Sequence, residues 1–254
     1  MAMPKVYFLS DVHLGLGNKE KEKAKEKLLV SFLDAIQSEA EKLFIVGDLF
    51  DYWFEYKTVI PKGHHRLLTK LADLVEQGIE INYLMGNHDF GMRDFFPEEL
   101  GVTIFRDPIS TTLGSKKFYI IHGDGLAAND LGYRILRKIL HNRFNQWLYS
   151  LLHPDIGVSL AKLSSRKSRD YTAQKDYGDS DGMLTFATQK IKEGYDYVVM
   201  GHRHRPTHQR IGNGYYVNLG DWIKHFTYAV FDGEQVELKQ IEKTEIIMGD
   251  AALK

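Results

Sequence analysis

Five apolar, strand-forming runs in this chain stop abruptly at blocks of Gly, Asp, Asn and His, and that recurrence restricts the architectures open to it more than any other feature. Val6 to Ser10 is followed by Asp11-Val12-His13, Leu43 to Val46 by Gly47-Asp48, and Ile81 to Met85 by Gly86-Asn87-His88-Asp89. Phe118 to Ile121 leads into His122-Gly123-Asp124, and Tyr197 to Met200 into Gly201-His202-Arg203-His204. The runs are nearly continuous in apolar residues, broken only by Ser10 and Asn82, rather than alternating, which predicts strands covered on both faces. Leu28, Leu29, Phe32, Leu33 and Ile36 recur at helical spacing between them, as do Leu67, Leu68, Leu71, Leu74 and Val75. The order β, α, β, α predicts an α/β protein.

Taken singly, each block has an ordinary explanation. Gly and Asn suit turns, Asp caps helices, and a lone His is usually a satisfied structural residue. The joint pattern is different, because five of the eleven histidines and three oxygen donors occupy the same relative place at successive strand ends. In an open α/β sheet the carboxyl ends of the strands converge on the ligand site. Asp11, His13, Asp48, Asn87, His88, His122, His202 and His204 are therefore expected to meet. Imidazole and oxygen donors without sulfur suit Mn²⁺, Zn²⁺ or Fe²⁺. The chain has no cysteine, which excludes disulfides, thiolate metal sites and thiol nucleophiles. So many donors exceed the needs of one structural zinc, and a carboxylate can bridge two ions. Two ions sharing a site perform phosphoester or pyrophosphate hydrolysis.

With 33 basic and 34 acidic residues, the chain has no whole-molecule field favouring nucleic acid or a membrane. No apolar stretch approaches the ~20 residues of a membrane span, and the first residues enter a strand at once, so the expected location is cytoplasmic. Residues 1–254 are read as a single domain, with 125–185 a helical cap inserted into it. Within the cap, Leu131 to Leu152 has the pattern of an amphipathic helix ended by His153-Pro154, Leu160 to Arg169 that of a second short helix, and Tyr177 to Gly182 that of a polar loop. Considered alone, the apolar stripe of the first helix is expected to pack against the main domain. The basic residues of the cap come without an aromatic stacking platform, so no nucleic-acid partner is expected. The charged stretch Lys19 to Lys27 reads as a solvated helix start.

The set Asp11-Val-His13, Gly47-Asp48-Leu-Phe-Asp51, Gly86-Asn87-His88-Asp89, His122-Gly-Asp124 and Gly201-His202-Arg203-His204 resembles the calcineurin-like metallophosphoesterase superfamily, every block present and in order. That resemblance implies a four-layer α/β/β/α sandwich. It implies that Asp11, His13 and His204 hold one metal, that Asn87, His122 and His202 hold the other, and that Asp48 bridges them. By the same resemblance His88 stabilises the phosphoryl oxygens or protonates the leaving group, with Asp89 orienting it. The role of Asp51 stays open between tuning the bridge and capping the next helix.

The segments between the blocks, including His122-Gly-Asp-Gly-Leu-Ala-Ala-Asn-Asp130-Leu-Gly-Tyr133 and Gly201-His-Arg-His-Arg-Pro206, resemble the UDP-2,3-diacylglucosamine pyrophosphatase family of lipid A biosynthesis. This implies hydrolysis of that substrate to 2,3-diacylglucosamine 1-phosphate (lipid X) and UMP, usually with Mn²⁺. It also implies substrate contacts from Asn87, Asp130, Tyr133, Ser168 and Lys175, acyl chains received under the cap, and peripheral contact with the cytoplasmic face of the inner membrane. No obligate protein partner is implied. Many members of this family carry Arg where His88 stands, a departure that leaves phosphoester hydrolysis intact and bears on the substrate. The alternative is a metallophosphoesterase for another nucleotide, phosphodiester or phosphoprotein.

Overall fold

Alternate residues of the apolar runs enter different cores, which is why the runs need no polar positions. In the computed structural model, which describes residues 5–126, 139, 142–160 and 182–241, Val6 and Phe8 of β1 (Lys5–Leu9) face one core while Tyr7 and Leu9 face another. β2 (Ala40–Val46) divides likewise, with Phe44 and Val46 on the first side and Leu43 and Ile45 on the second. The strands form two sheets. One has the order β11-β10-β1-β2-β3-β4, with β3 (Glu80–Leu84), β4 (Thr103–Phe105), β10 (Thr227–Phe231) and β11 (Val236–Gln240). The other has the order β5-β6-β7-β9-β8, with β5 (Ile109–Leu113), β6 (Lys116–Ile121), β7 (Tyr197–Met200), β8 (Thr207–Ile211) and β9 (Gly214–Asn218).

β1 to β4 run parallel, as do β6, β7 and β9, so the strands that precede the polar blocks end on common edges. Between the sheets lies a core in which Phe8 stacks on Phe44 at 5.2 Å and on Phe118 of the second sheet at 5.8 Å. On the outer face of the first sheet, α1 (Lys19–Ile36) and α2 (His65–Glu76) bury the leucine and phenylalanine positions of their helical stripes. On the outer face of the second, Met183 and Ala187 of the helix Gly182–Lys192 pack with Val198, Met200 and Tyr216. The layers are therefore α/β/β/α. α1 starts at Asn18, whose side chain accepts Lys21 N–H at 2.9 Å, a standard N-cap.

The cap departs from expectation where it is described. Asn142 caps the helix Arg143–Ser150, accepting Phe144 N–H at 2.9 Å, and His153-Pro154 does more than end a helix. Pro154 opens a second helical stretch, 154–160, ahead of the expected Leu160 start, because proline is preorganised for a first helical turn. The described part of the stripe does not face the main domain: Phe144, Trp147 and Leu151 are 63%, 52% and 65% exposed, whereas Gln146 is buried. Contact with the main domain includes Tyr149, whose Oη lies 3.1 Å from Tyr52 Oη and whose ring stands edge-on to Phe54 at 4.6 Å, while its O–H donates to the Gly157 carbonyl within the cap at 2.6 Å.

Phe118 joins the two sheets, so Phe118→Ala should cost about 3–5 kcal/mol, the usual range for emptying a buried aromatic site. Urea unfolding monitored by circular dichroism should show a lower midpoint with an unchanged slope; a loss below about 1 kcal/mol would mean that the inter-sheet core relaxes into the space.

Candidate metal centre

The loops that leave the strands continue to bond to each other beyond the sheet. Asp11 N–H donates to the Gly47 carbonyl at 3.1 Å, His13 N–H to the Asp48 carbonyl at 3.0 Å, and Asp51 N–H to the Leu14 carbonyl at 2.9 Å. To make these turns Asp11, His13, Asp48, His202 and His204 all adopt positive φ, between 49° and 66°. A non-glycine residue there costs on the order of 1 kcal/mol or more, and such outliers gather at functional sites. Two glycines leave the space the side chains need. A Cβ on Gly86 would overlap Asp48 Oδ1, and one on Gly201 would overlap Asp11 Oδ2.

Besides a cluster of His13, Asp51 and His88, two groups of donors result. Asp11, His13 and His204 form one: Asp11 Oδ1 lies 3.2 Å from His204 Nε2 and 3.6 Å from His13 Nε2, and the two Nε2 atoms are 3.1 Å apart. Asp48, His122 and His202 form the other, with Asn87 Oδ1 3.2 Å from His122 Nε2. Asp48 Oδ2 stands 3.3 Å from His122 Nε2 and 3.7 Å from His13 Nε2, between the groups.

The donor chemistry fits divalent cations. Asp11 Oδ2 accepts Ser10 Oγ–H at 2.6 Å and His202 N–H at 2.8 Å, while its buried Oδ1 has no hydrogen-bond partner and faces the imidazoles. On the second group, His122 Nδ1 lies 2.8 Å from the Val46 carbonyl. A proton assigned to Nδ1 by that bond leaves Nε2 facing Asn87 Oδ1 and Asp48 Oδ2, and once Nε2 gives up its own proton only acceptors converge there for a cation to satisfy.

Charge is coupled across the site. Burial opposes ionisation of Asp11, yet the imidazoles of His13 and His204 hold its carboxyl well below the usual carboxylate range. Burial likewise opposes Asp48, and His122 and His88 draw it below that range. Burial also works against protonation of His13, but Asp11 and Asp51 raise it to about 10; Asp48 raises His122 well above the ordinary imidazole value against the same effect. His202 is lowered to about 4, first by burial and then by His122.

His88 reaches the edge of this centre, its ring edge-on to His13 at 4.8 Å. The expected orienting partner, Asp89, does not touch it. Asp89 is buried and accepts Gly86 N–H at 2.7 Å, Leu49 N–H at 2.9 Å and the Tyr83 hydroxyl, so its oxygens tie β3 to the Asp48 loop. His88 Nδ1 instead lies 3.0 Å from the Asp51 carbonyl and 3.6 Å from its carboxylate, which also stands 3.5 Å from His13 Nδ1. The periodicity of the sequence could not decide between the two aspartates, because the relevant chain reversal follows β2 and not β3.

The charged stretch of α1 is not merely solvated. Lys25 Nζ donates to the His13 carbonyl at 2.7 Å, and Glu22 accepts Gly15 N–H and Gly17 N–H at 2.6 and 2.7 Å. Another buried carboxylate, Asp221, was announced only by the order strand, Gly220, Asp221 after β9, the same order that precedes Asp48. Asp130, Tyr133, Ser168 and Lys175, expected to contact substrate, lie outside the described residues.

Residues 4–206 match the family profile of the calcineurin-like phosphoesterases. A UDP-2,3-diacylglucosamine hydrolase of Porphyromonas gingivalis is 33% identical over 259 residues, covering 95% of this chain and 99% of the relative. Proteins of the same name from Haemophilus influenzae and Neisseria meningitidis are each 31% identical, over 226 and 249 residues. The alignments cover 87% of this chain and 91% of the Haemophilus relative, and 95% of this chain and 100% of the Neisseria relative.

In the metal-free protein the surrounding carboxylates favour the protonated forms of His13 and His122, and an incoming cation must displace such protons. Uptake of divalent ions should therefore release protons, with apparent affinity weakening by about tenfold per pH unit lowered for each proton displaced. Titration calorimetry with Mn²⁺ in two buffers of different ionisation enthalpy measures this; identical heats would show that the imidazoles are neutral before metal arrives.

Proposed function

As the chain belongs to the calcineurin-like phosphoesterases, we propose that it is the metal-dependent hydrolase that cleaves the pyrophosphate of UDP-2,3-diacylglucosamine, releasing UMP and 2,3-diacylglucosamine 1-phosphate (lipid X) for lipid A biosynthesis. The observation that carries the chemistry is the position of Asp48 Oδ2 between two imidazole-carboxylate groups. The substrate assignment is supported by relatives of that name, alike along nearly the whole of both chains.

In this reading Asp11, His13 and His204 hold one ion, Asn87, His122 and His202 the other, and Asp48 both. Two divalent cations, Mn²⁺ by family usage with Zn²⁺ or Fe²⁺ as alternatives, supply Lewis acidity towards the phosphoryl oxygens and lower the pKa of water. The protein supplies the rest. The backbone pairing of the 11–14 and 48–51 loops fixes the donors before substrate arrives, which lowers the cost of orienting the reacting groups.

His88 is the group placed to act on the substrate beside the ions. Burial lowers its proton affinity while the carboxylates of Asp48 and Asp51 work the other way. An anionic phosphoryl group arriving next to it favours the imidazolium, so binding of substrate recruits the proton that the leaving oxygen needs. The Asp51 carbonyl and carboxylate hold the Nδ1 side of the ring, which leaves Nε2 for this exchange.

The cap serves the lipid half. Phe144, Trp147, Leu148, Leu151 and Ile156 are exposed on one segment that begins with Arg143, a combination suited to acyl chains and to peripheral contact with an anionic membrane surface. No helix among the described residues is long and apolar enough to cross a membrane. Asp130, Tyr133, Ser168 and Lys175 complete the proposed substrate contacts, with Asn87 reaching the phosphate.

Mass-spectrometric product analysis of the Mn²⁺-loaded protein with UDP-2,3-diacylglucosamine should find UMP and lipid X, and no turnover of UDP-glucose. Cleavage of an aryl phosphodiester alone would keep the chemistry and transfer the chain to another phosphoester. His88→Gln should lower kcat by at least about tenfold while metal content stays that of the wild type; loss of metal together with activity would make His88 a ligand instead.

A further inference from the structure

β9 ends at Asn218, and the chain turns through Leu219-Gly220-Asp221 beside the Asp11 group. Asp221 is 1% exposed. Its Oδ1 accepts the N–H groups of Ile223, Lys224 and His225 at 2.8, 2.6 and 3.2 Å. Its Oδ2 accepts His225 Nδ1–H at 2.9 Å and stands 3.9 Å from His204 Nδ1. The next residue, Trp222, donates its N–H to the Asp11 carbonyl at 3.0 Å, so the turn is attached to the candidate centre at two points.

The two oxygens have separate tasks. A turn of this kind needs one acceptor, and Oδ1 satisfies it alone. Oδ2 is left for two imidazoles, one half-exposed and one in the donor group. His204 is thereby divided: Nδ1 faces Asp221, and Nε2 lies 3.2 Å from Asp11 Oδ1 and 3.1 Å from His13 Nε2. A neutral imidazole carries one proton, and a carboxylate beside one nitrogen draws the proton there.

We propose that Asp221 is a positioning residue of the metal centre, keeping the His204 proton on Nδ1 and the Nε2 lone pair turned towards Asp11 and His13. The proposal rests on reading Asp11, His13 and His204 as metal ligands. At 3.9 Å the contact with His204 is one of charge and not a hydrogen bond. The effect accordingly depends on the negative charge of Asp221, whereas the turn depends only on an oxygen. Asp221→Asn separates the two, since the amide keeps an acceptor for the three N–H groups and loses the charge.

Mn²⁺ binding to the wild type, Asp221→Asn and His225→Ala is measured by titration calorimetry, with thermal unfolding alongside and ¹⁵N–¹H correlation spectra of the ring nitrogens. The expected result for Asp221→Asn is two ions bound, one about ten- to a hundredfold more weakly and the other as in the wild type, with a near-native unfolding midpoint. Its His204 ring should lose the pure Nδ1–H signature of the wild type. His225→Ala should keep both affinities, because Oδ2 still faces His204. Wild-type affinities and an unaltered His204 tautomer in Asp221→Asn would reduce Asp221 to a turn cap and overturn the proposal, as would equal weakening of both sites accompanied by a lowered midpoint. A wild-type protein that takes up no Mn²⁺ would defeat the metal reading and this proposal with it. None of these measurements involves the acylated substrate, so failure of the substrate assignment would register only in the product analysis.

Discussion

The carboxylate of Asp48 joins three segments that are far apart in the chain. One oxygen accepts the His88 N–H at 2.9 Å, and the other faces His122 and His13. A buried carboxylate is tolerated only when opposite charge or donors compensate for lost hydration. Much of the surrounding design follows from that need. Gly86 lacks a side chain where Asp48 approaches, His122 is oriented by the Val46 carbonyl, and Asp89 binds the Gly86 and Leu49 amides that hold the turn in place.

Holding these groups together strains the backbone. Five candidate ligands have positive φ, but so do His64 and Phe226, so the conformation alone does not mark a ligand. What distinguishes the five is that they lie on loops attached to the ends of buried parallel strands. The aromatic core between the sheets, with Phe8, Phe44, Phe118 and Phe231, makes those ends rigid. Cross-bonding of the loops then transmits the rigidity to the donors, which is how preorganisation arises without any single strong interaction.

The cap obeys a different logic. Its described helix buries Gln146 and turns Phe144, Trp147 and Leu151 outward, the reverse of a core-facing helix. Contact of Tyr149 with Tyr52 and Phe54 leaves the exposed Phe144, Trp147 and Leu151 free of the main domain. The candidate metal centre and the exposed apolar residues thus lie on different segments that touch near Tyr52 and Phe54, which suits a substrate with a polar and a greasy half.

The sequence by itself carried the α/β class and the gathering of polar blocks at the strand ends; its family resemblance carried the layering and the expected ligand roles. Nearly continuous apolar runs suit strands covered on both faces, and blocks that follow parallel strands gather at one edge. That is why Asp11, His13, Asp48, Asn87, His88, His122, His202 and His204 could be expected to meet without coordinates, while the family resemblance alone set His88 apart from the ligands. Tertiary structure alone decided which aspartate serves His88, since Asp51 and Asp89 follow different strands and only the pairing of those strands fixes their distances. It alone decided the outward face of the cap helix, because periodicity defines a stripe and not the surface it meets. The same holds for Lys25 and Asp221: a charge near a helix start or after a Gly acquires its meaning from what the fold brings within a few ångströms.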